Sequence, residues 1–470
     1  MTQVVELPLW LFVLILLFAV VTFASHFLFP SVRWFFRRRL ERAVSRLNER
    51  LDRPIQPFKL ARRHDMIQRM IYDPEVTSAV IEHARETDVP EAVAFQQARR
   101  YAREIVPSFS AFTYFGIAIR LARFLSNSLY RVRLGHKDGV ALREIDKDAT
   151  IIFVMNHRSN MDYVLVTYLA AGGTTLSYAV GEWARVWPLS SLIKAMGAYF
   201  IRRKSRNELY RRVLATYVRH ATQAGVAQAI YPEGGLSLTG DLMPPKLGLF
   251  KYILDGADLD QRDVVFVPVA LNYDRVLEDQ ILTSAAKANV RRFKARIGVI
   301  ALKTLRQFFR RITGRYKRFG FAAVSFGKPV SLRELSKSET GDLTKLLSRQ
   351  LMKRIGELVP VLPVPVLATV LLRKKALSWT SLLESVDVLL EQIPNSEIHM
   401  PTHEREYVLD VAIRQMVERG IVLADSGHFS VASDRSDLLA FYARSIAHLL
   451  PDQDGGFSAV AKDLSAHAGS

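Results

Sequence analysis

The apolar and polar positions change their pattern several times along the chain, and the first pattern is continuous apolarity. Residues 7–29 are apolar almost throughout, and His26 is the only one that can carry a charge. This length predicts a helix that spans a hydrocarbon core of ~30 Å. No Lys or Arg precedes the segment, which favours a retained anchor over a cleaved signal peptide. Arginines follow from Arg33 to Arg46, so we expect a single-pass protein with its body on the cytoplasmic face of the inner (cell) membrane.

A mostly helical pattern follows over residues 30–135, which we expect to lie close to the membrane. Within it, apolar positions recur at three and four residues from Ala111 to Leu134. That spacing predicts an amphipathic helix.

From residue 136 to 360 short β-branched runs alternate with helical stretches. The runs are Ile151–Met155, Thr175–Val180, Val226–Tyr231 and Val264–Leu271, and one of the helical stretches is Arg206–Gly225. This alternation predicts an α/β domain with a mixed, largely parallel sheet and flanking helices.

The last part of the chain returns to helical patterns. The proline-rich stretch Val359–Val366 predicts a linker or a tight turn. Residues 366–452 then predict a small helical C-terminal domain, for which two helices, a short strand and a last helix at Asp437–Leu450 suggest a winged-helix-like fold. Residues 453–470 are small and polar and predict a flexible tail.

Charge and composition narrow the possible partners. The 470 residues include 65 Lys and Arg against 46 Asp and Glu, a formal net charge of +19, and no cysteine. The missing cysteines exclude disulfides, thiolate nucleophiles and cysteine-ligated zinc. The charge indicates an anionic partner, which can be nucleic acid, a membrane surface or a phosphorylated substrate. No nucleic-acid-binding motif accompanies it, so we expect no nucleic-acid partner.

One basic segment favours membrane lipid as a partner. Residues 280–333 contain no acidic residue, and between Lys287 and Arg318 basic residues alternate with apolar ones such as Phe308. A basic helix with an apolar stripe suits a surface of anionic lipid. A solvated cationic face packed on the core is the alternative.

Candidate chemistry is concentrated directly after the predicted strand 151–155. The sequence there is Asn-His-Arg-Ser-Asn-Met-Asp, with His157 in the turn and Asp162 in the first turn of the next helix. Strand ends are where α/β sheets place their active sites. The carboxylate can fix one imidazole nitrogen and leave the other as a general base, although a purely structural hydrogen bond is the alternative.

Three further polar blocks follow later strands, at Gly197–Arg203, Tyr231–Gly240 and Val267–Asp274. The first ends in two arginines, a residue type that binds phosphate through paired contacts. The second offers glycines for close backbone approach. Neither the G-x-S-x-G elbow of serine hydrolases nor a phosphate-binding G-x-x-x-x-G-K-[ST] loop is present.

In order and spacing, the four blocks resemble the glycerolipid acyltransferases, most closely the membrane-bound glycerol-3-phosphate 1-O-acyltransferases. The resemblance covers residues 151–277 firmly and extends more weakly to Ala440–Leu450. It implies an enzyme of phospholipid synthesis that moves a fatty acyl group from acyl-CoA or acyl carrier protein to the sn-1 hydroxyl of glycerol 3-phosphate. It implies neither a cofactor nor a metal.

The resemblance also implies roles for individual residues. His157 would be the base, Asp162 its orienting partner, and Pro268 a support of the acyl-donor pocket. The expected substrate-binding residues are Arg202, Arg203, Glu233, Gly234, Ser237, Lys246 and Pro268. Leu236 and Leu238 stand where many relatives have arginine, so 1-acylglycerol 3-phosphate and dihydroxyacetone phosphate stay open as acceptors. An inactive membrane scaffold would need neither the base nor its partner.

Overall fold

The computed structural model divides the chain into two compact units. It describes residues 8–137, 139–170, 174–181, 189–202, 207–288, 318–339, 341–374, 376–394, 398–400 and 402–451. The first unit is Met1–Pro54 with Gly172–Thr174, and the second is Ile55–Ala171 with Thr175–Ser470.

The first unit contains one long helix, α1 (Leu9–Asn48). Apolar side chains near its start are exposed, including Leu9, Trp10 and Phe18. A search of the described residues for a helix of sufficient length and apolarity to cross a membrane finds none. The single-pass anchor expected over residues 7–29 therefore has no support in the structure. Residue 7 and the side chains at 21 and 23–29 lie outside the description.

The second unit begins with a helical layer. Its helices are α2 (Pro57–Leu60), α3 (Arg63–Ile71), α4 (Pro74–Thr87), α5 (Glu91–Ile105) and a π-helical segment (Phe112–Ala118) that continues into α6 (Ile119–Leu129). The amphipathic helix predicted over 111–134 thus ends five residues early. Tyr130 is extended, and the chain continues as strand β1 (Arg131–Lys137), which pairs with a strand late in the sequence.

An eight-stranded sheet forms the centre of this unit. Its further strands are β2 (Thr150–Met155), β3 (Ser177–Gly181), β4 (Tyr199–Ile201), β5 (Gln228–Ile230), β6 (Val264–Tyr273), β7 (Phe321–Phe326) and β8 (Val330–Ser331). The order is β1-β7-β6-β2-β5-β3-β4, with β8 paired to β6. Among the strand pairs of the described part of the chain, only β6 with β7 and β6 with β8 are antiparallel in this sheet. The predicted mixed, largely parallel sheet is confirmed.

Helices flank this sheet, as predicted. They are α7 (Gly139–Glu144), α8 (Met161–Ala170), α9 (Leu189–Ala195), α10 (Glu208–Gln223), α11 (Gly248–Asp255), α12 (Asp279–Lys287), α13 (Leu332–Ser338) and α14 (Leu343–Glu357). Every residue of β2 and β6 is buried, as expected for central strands covered on both faces. Met155, the last residue of β2, pairs with Val269, and β6 runs on to Tyr273. β6 therefore extends four residues beyond its last pair with β2.

The C-terminal elements are α15 (Pro363–Arg373), β9 (Ala376–Ser378), α16 (Trp379–Leu390), α17 (Arg405–Glu418), β10 (Val422–Asp425), β11 (His428–Val431) and α18 (Ser436–Arg444). The three strands pair as an antiparallel sheet, β10-β11-β9. Two helices, a hairpin and a last helix follow one another here, with β9 as a third short strand, and the winged-helix-like interpretation stays a prediction. The proline-rich stretch was expected as a linker or a tight turn, but its second half forms the start of α15, which is buried from Pro363 to Leu371. Proline suits the first turn of a helix, so its presence does not exclude one.

Two predictions fall on residues outside the description. Most of the basic segment from Lys287 to Arg318 lies within 289–317, and the tail over 453–470 lies within 452–470.

Candidate active site

A buried histidine–aspartate pair lies at the end of β2. The Nδ1 atom of His157 is 2.9 Å from Oδ2 of Asp162, and both side chains are fully buried. His157 is in the loop, and Asp162 is the second residue of α8. The contact that the five-residue spacing predicted is therefore formed. Because Nδ1 is bonded to the carboxylate, Nε2 is the nitrogen that can exchange a proton with a substrate.

The Asp162 carboxylate receives further hydrogen bonds on both oxygens. The backbone N–H groups of Arg158 and Ser159 donate to Oδ2 over 2.8 Å and 3.1 Å. The Tyr273 hydroxyl donates to Oδ1 over 2.7 Å. Hydrogen bonds on both oxygens fix the orientation of the carboxylate, which in turn orients the imidazole. The sequence placed Tyr273 in the fourth block but assigned it no role.

Glu278, which follows β6, holds the loop that carries His157. Its carboxylate accepts hydrogen bonds from the Ser159 hydroxyl over 2.8 Å and from the Asn160 side-chain amide over 3.0 Å. Asn156 is fixed by two hydrogen bonds to the backbone of Leu271, over 2.8 Å and 2.9 Å. Sequence reasoning missed Glu278, because it lies five residues beyond β6 with no motif of its own.

Two tyrosine rings enclose the imidazole. The Tyr231 ring lies 4.3 Å from the His157 ring, tilted by 32°, and the Tyr163 ring meets it edge-on at 5.5 Å. Apolar ring faces restrict the orientation of the imidazole and exclude water from it. Tyr231 begins the third block, so this block contributes a wall of the site as well as its polar residues.

Glu233 and Arg158 are both buried beside the pair. One oxygen of Glu233 accepts a hydrogen bond from the His157 backbone N–H over 3.4 Å. Burial raises the pKa of Glu233 to about 8, against the opposing effects of the Arg158 guanidinium and the His157 N–H. The Arg158 guanidinium, also buried, donates to the carbonyl oxygens of Gly240 and Ser445. Arg158 is therefore the charged group that acts most strongly on the Glu233 carboxyl.

The third block forms a tight loop around Gly234. Its φ of 69° lies in the left-handed region, and a Cβ there would come within 2.6 Å of the Lys246 side chain. The predicted residues Gly234 and Lys246 are therefore together. The Ser237 hydroxyl is occupied within the loop, where it donates to Asp241 O and accepts from Gly240 N. The Ser237 backbone N–H donates to His157 O over 3.1 Å, so Ser237 supports the loop that carries the base.

The structure describes the second block as far as Arg202, whose guanidinium is paired with a carboxylate. Arg202 donates through Nε and Nη2 to the two carboxylate oxygens of Glu104, over 2.8 Å and 2.7 Å, and lies over the Tyr101 ring at 5.1 Å. Glu104 belongs to α5, so Arg202 ties the helical layer to the edge of the sheet. Arg203 lies outside the described residues.

Pro268 lies in the middle of β6 and pairs with Val154 of β2. Gly327 N–H donates to its carbonyl oxygen over 2.9 Å. Pro268 thus lies within the sheet, beside a residue that precedes His157 by three positions. Its expected role in supporting the acyl-donor pocket stays a prediction. Within the described residues, no group of three or more His, Asp or Glu side chains is placed to hold a metal ion.

Comparisons with known proteins agree with this arrangement. Residues 140–272 match the family Acyltransferase, and residues 304–453 match the family Glycerol-3-phosphate acyltransferase C-terminal region. A glycerol-3-phosphate acyltransferase of Pasteurella multocida (strain Pm70) is 26% identical over 83% of this chain and 50% of its own length. The corresponding protein of Shewanella woodyi (strain ATCC 51908 / MS32) is 27% identical over 83% of this chain and 51% of its own length. The chain thus spans about half the length of these curated relatives.

Among solved structures, the 1-acyl-sn-glycerophosphate (LPA) acyltransferase PlsC from Thermotoga maritima matches with a TM-score of 0.33 and 16% identity, over 52% of this chain and 79% of that chain. The two family matches cover both the loop that bears His157 and the C-terminal elements that contact it. The resemblance drawn from the four sequence blocks is confirmed: the chain matches both of these acyltransferase family models and is similar to proteins named glycerol-3-phosphate acyltransferase.

Proposed function

We propose that this protein transfers a fatty acyl group from an acyl thioester to the sn-1 hydroxyl of glycerol 3-phosphate. The observation that carries the proposal is the His157–Asp162 pair, buried and bonded at Nδ1, at a strand end of an acyltransferase-family sheet. The relatives named glycerol-3-phosphate acyltransferase support the choice of acceptor. Either coenzyme A or an acyl carrier protein can supply the thioester.

The reaction needs one base and no covalent enzyme intermediate. His157 Nε2 takes the proton of the acceptor hydroxyl while the hydroxyl oxygen forms a bond to the thioester carbonyl carbon. The carbon–sulfur bond then breaks, and the leaving thiolate takes the proton back from the imidazolium. Asp162 holds Nδ1–H throughout and stabilises the transient positive charge. Exclusion of water by Tyr231 and Tyr163 would protect the thioester from hydrolysis.

We assign the acceptor phosphate to positive charge near the third and second blocks. Lys246 lies against the Gly234 backbone, where an anion can approach closely. Arg203 is assigned by its place in the second block. Arg202 is already engaged by Glu104, so its contribution is to hold the edge of the sheet. Glu233, Gly234 and Ser237 shape the acceptor side of the site, and Pro268 supports the donor side.

A second acceptor is supported by the two leucines of the third block. Leu236 and Leu238 are half-buried and pack against the apolar core. An apolar wall in place of charged donors suits an acceptor that already carries an acyl chain, such as 1-acylglycerol 3-phosphate. Dihydroxyacetone phosphate differs from glycerol 3-phosphate mainly at C2, and it is the third acceptor to be tested.

We infer that the protein works at a membrane. Apolar side chains at the start of α1 are exposed, as are those on one face of the π-helical segment and α6, together with two arginines. The residues of this second face, which we call the 112–124 face, are Phe112, Ile117, Arg120, Leu121, Arg123 and Phe124. Residues 105–137 contain no acidic residue. Such a surface suits anionic lipid, and the single-pass, cytoplasmic-face arrangement stays a proposal based on the arginines after residue 29.

One assay tests the proposed function. The purified full chain is given labelled palmitoyl-CoA or palmitoyl carrier protein with glycerol 3-phosphate, 1-acylglycerol 3-phosphate or dihydroxyacetone phosphate in separate reactions. The highest kcat/KM is expected with glycerol 3-phosphate. A preference for 1-acylglycerol 3-phosphate would select the second acceptor, and absence of transfer to all three would refute the proposal.

A further inference from the structure

The two oxygens of the Asp162 carboxylate are held by different parts of the chain. The Oδ2 atom receives His157 Nδ1 and two backbone N–H groups, all from the same short loop. The Oδ1 atom receives the Tyr273 hydroxyl, 111 residues away in the sequence, over 2.7 Å. Asp162 and Tyr273 are each at most 1% exposed. The orientation of the carboxylate plane therefore depends on a donor from outside the loop.

We infer that Tyr273 is a positioning residue, which fixes the plane and the charge of Asp162 and through it the His157 base. The inference deepens the proposed function and rests on it. Without a donor on Oδ1, a buried carboxylate oxygen would lose its partner, and the carboxylate plane would be held only by the donors to Oδ2, which include the imidazole. More of the negative charge would then act on His157.

The fold gives Tyr273 a fixed position for this role. β6 runs four residues past its last pairing with β2, and Tyr273 pairs with Ala322 of β7 at that end. Its ring packs at 5.4 Å against the ring of Tyr130. Burial raises the pKa of Tyr273 well above its ordinary value, and the neighbouring Asp162 charge acts in the same direction. The phenol therefore stays protonated and remains a donor over the working pH range.

Tyr130 provides a matched control. It is equally buried, it belongs to the same ring pair, and its hydroxyl donates to a backbone carbonyl, Arg275 O, over 2.8 Å. Tyr130→Phe removes a buried hydrogen bond of similar length without touching Asp162. Tyr273→Phe removes the one to Asp162.

The test compares both variants with the wild type in the acyl-transfer assay over pH 5–9, with thermal unfolding measured in parallel. Tyr273→Phe should lower kcat about tenfold, with little change in the KM of either substrate. The acidic limb of its pH–rate profile should move to higher pH, because the charge of Asp162 is less shielded in this variant and raises the pKa of His157. Tyr130→Phe should keep the wild-type pH profile.

Incorporation of 3-fluorotyrosine at position 273 keeps the hydroxyl and the ring, and it covers the case in which Tyr273→Phe folds poorly. The more acidic phenol binds Asp162 more strongly, so the acidic limb should move to lower pH. A wild-type profile in Tyr273→Phe, an equal loss of kcat in Tyr130→Phe, or an unmoved limb with fluorotyrosine would overturn the inference. These outcomes require an active wild type, so failure of the proposed function is seen separately, as absence of transfer in every sample.

Discussion

Arg202 and Glu104 form a paired ion contact, in which Nε and Nη2 of the guanidinium donate to the two carboxylate oxygens. The partners are 98 residues apart in the sequence and join α5 to the end of β4. These contacts use two of the five N–H donors of the guanidinium and fix the edge of the group that carries Nε and Nη2. We therefore propose that Arg202 is structural and that Arg203 binds the substrate.

This division gives the first prediction. Arg202→Ala and Glu104→Ala should each lower the free energy of unfolding by about 1–2 kcal/mol, between the values for exposed and buried pairs. The double variant should lose less than the sum, as denaturant unfolding can measure. Arg203→Ala should raise the KM for the phosphorylated acceptor more than that for the acyl donor. If Arg202→Ala raises the acceptor KM as strongly as Arg203→Ala, the structural assignment of Arg202 is wrong.

His157 carries the second prediction. His157→Ala should lower kcat by at least ~10²–10⁴-fold, the contribution usual for general acid–base catalysis. The thermal unfolding curve should stay cooperative, since the loop keeps its contacts through Asp162 and Glu278. His83→Ala, a change on α4, is the control and should retain activity. Wild-type turnover in His157→Ala would exclude the proposed mechanism.

The elements that bear the site could be predicted because each has a local signature. Four apolar β-branched runs indicated β2, β3, β5 and β6, and the five-residue spacing placed Asp162 beside His157. The contacts from Tyr273 and Glu278 could not be predicted in this way. They depend on how far β6 extends past β2, which is a property of strand register between distant segments.

Two other differences arise from tertiary contacts. The proline-rich stretch has the local composition of a linker, but its apolar residues are buried on all sides in α15. Similarly, Arg202 has the position of a phosphate ligand, but Glu104 reaches it from a helix that the block itself does not indicate. Local patterns identify elements and polar clusters, and the fold decides which partner each side chain takes.

Glu233 gives the third prediction, on stability against pH. Its pKa in the folded protein is raised to about 8 from an ordinary value of 4.5, mainly by burial. The unfolded chain releases this proton at lower pH than the folded protein. The folded state is therefore favoured most below pH 4.5 and loses this contribution as pH rises towards 8.

Glu233→Gln cannot titrate, so the stability of the wild type relative to this variant should fall from pH 5 to pH 8. Denaturant unfolding at pH 5, 6.5 and 8 measures the difference. The pKa of Asp274 is also raised, to about 7, but Asp274 is present in both proteins and its effect cancels. Glu208→Gln, at an exposed site, should give curves parallel to the wild type. Parallel curves for Glu233→Gln would contradict the assignment of Glu233 as a buried group that takes up a proton.

The 112–124 face gives the last prediction, on membrane attachment. In a chain that lacks residues 1–54, which belong to the first compact unit, Phe112→Ser with Leu121→Ser should weaken binding to anionic phosphatidylglycerol vesicles. The two side chains are 71% and 44% exposed, and each contributes up to ~1.5–3 kcal/mol if fully transferred to lipid. Vesicle sedimentation should thus show a loss of at least tenfold, and added salt should weaken the remaining binding through the arginines. The control is Tyr72→Ser with Leu423→Ser, which removes two other exposed apolar side chains. An equal loss in the control, or unchanged binding in the first pair, would show that this face does not meet the lipid.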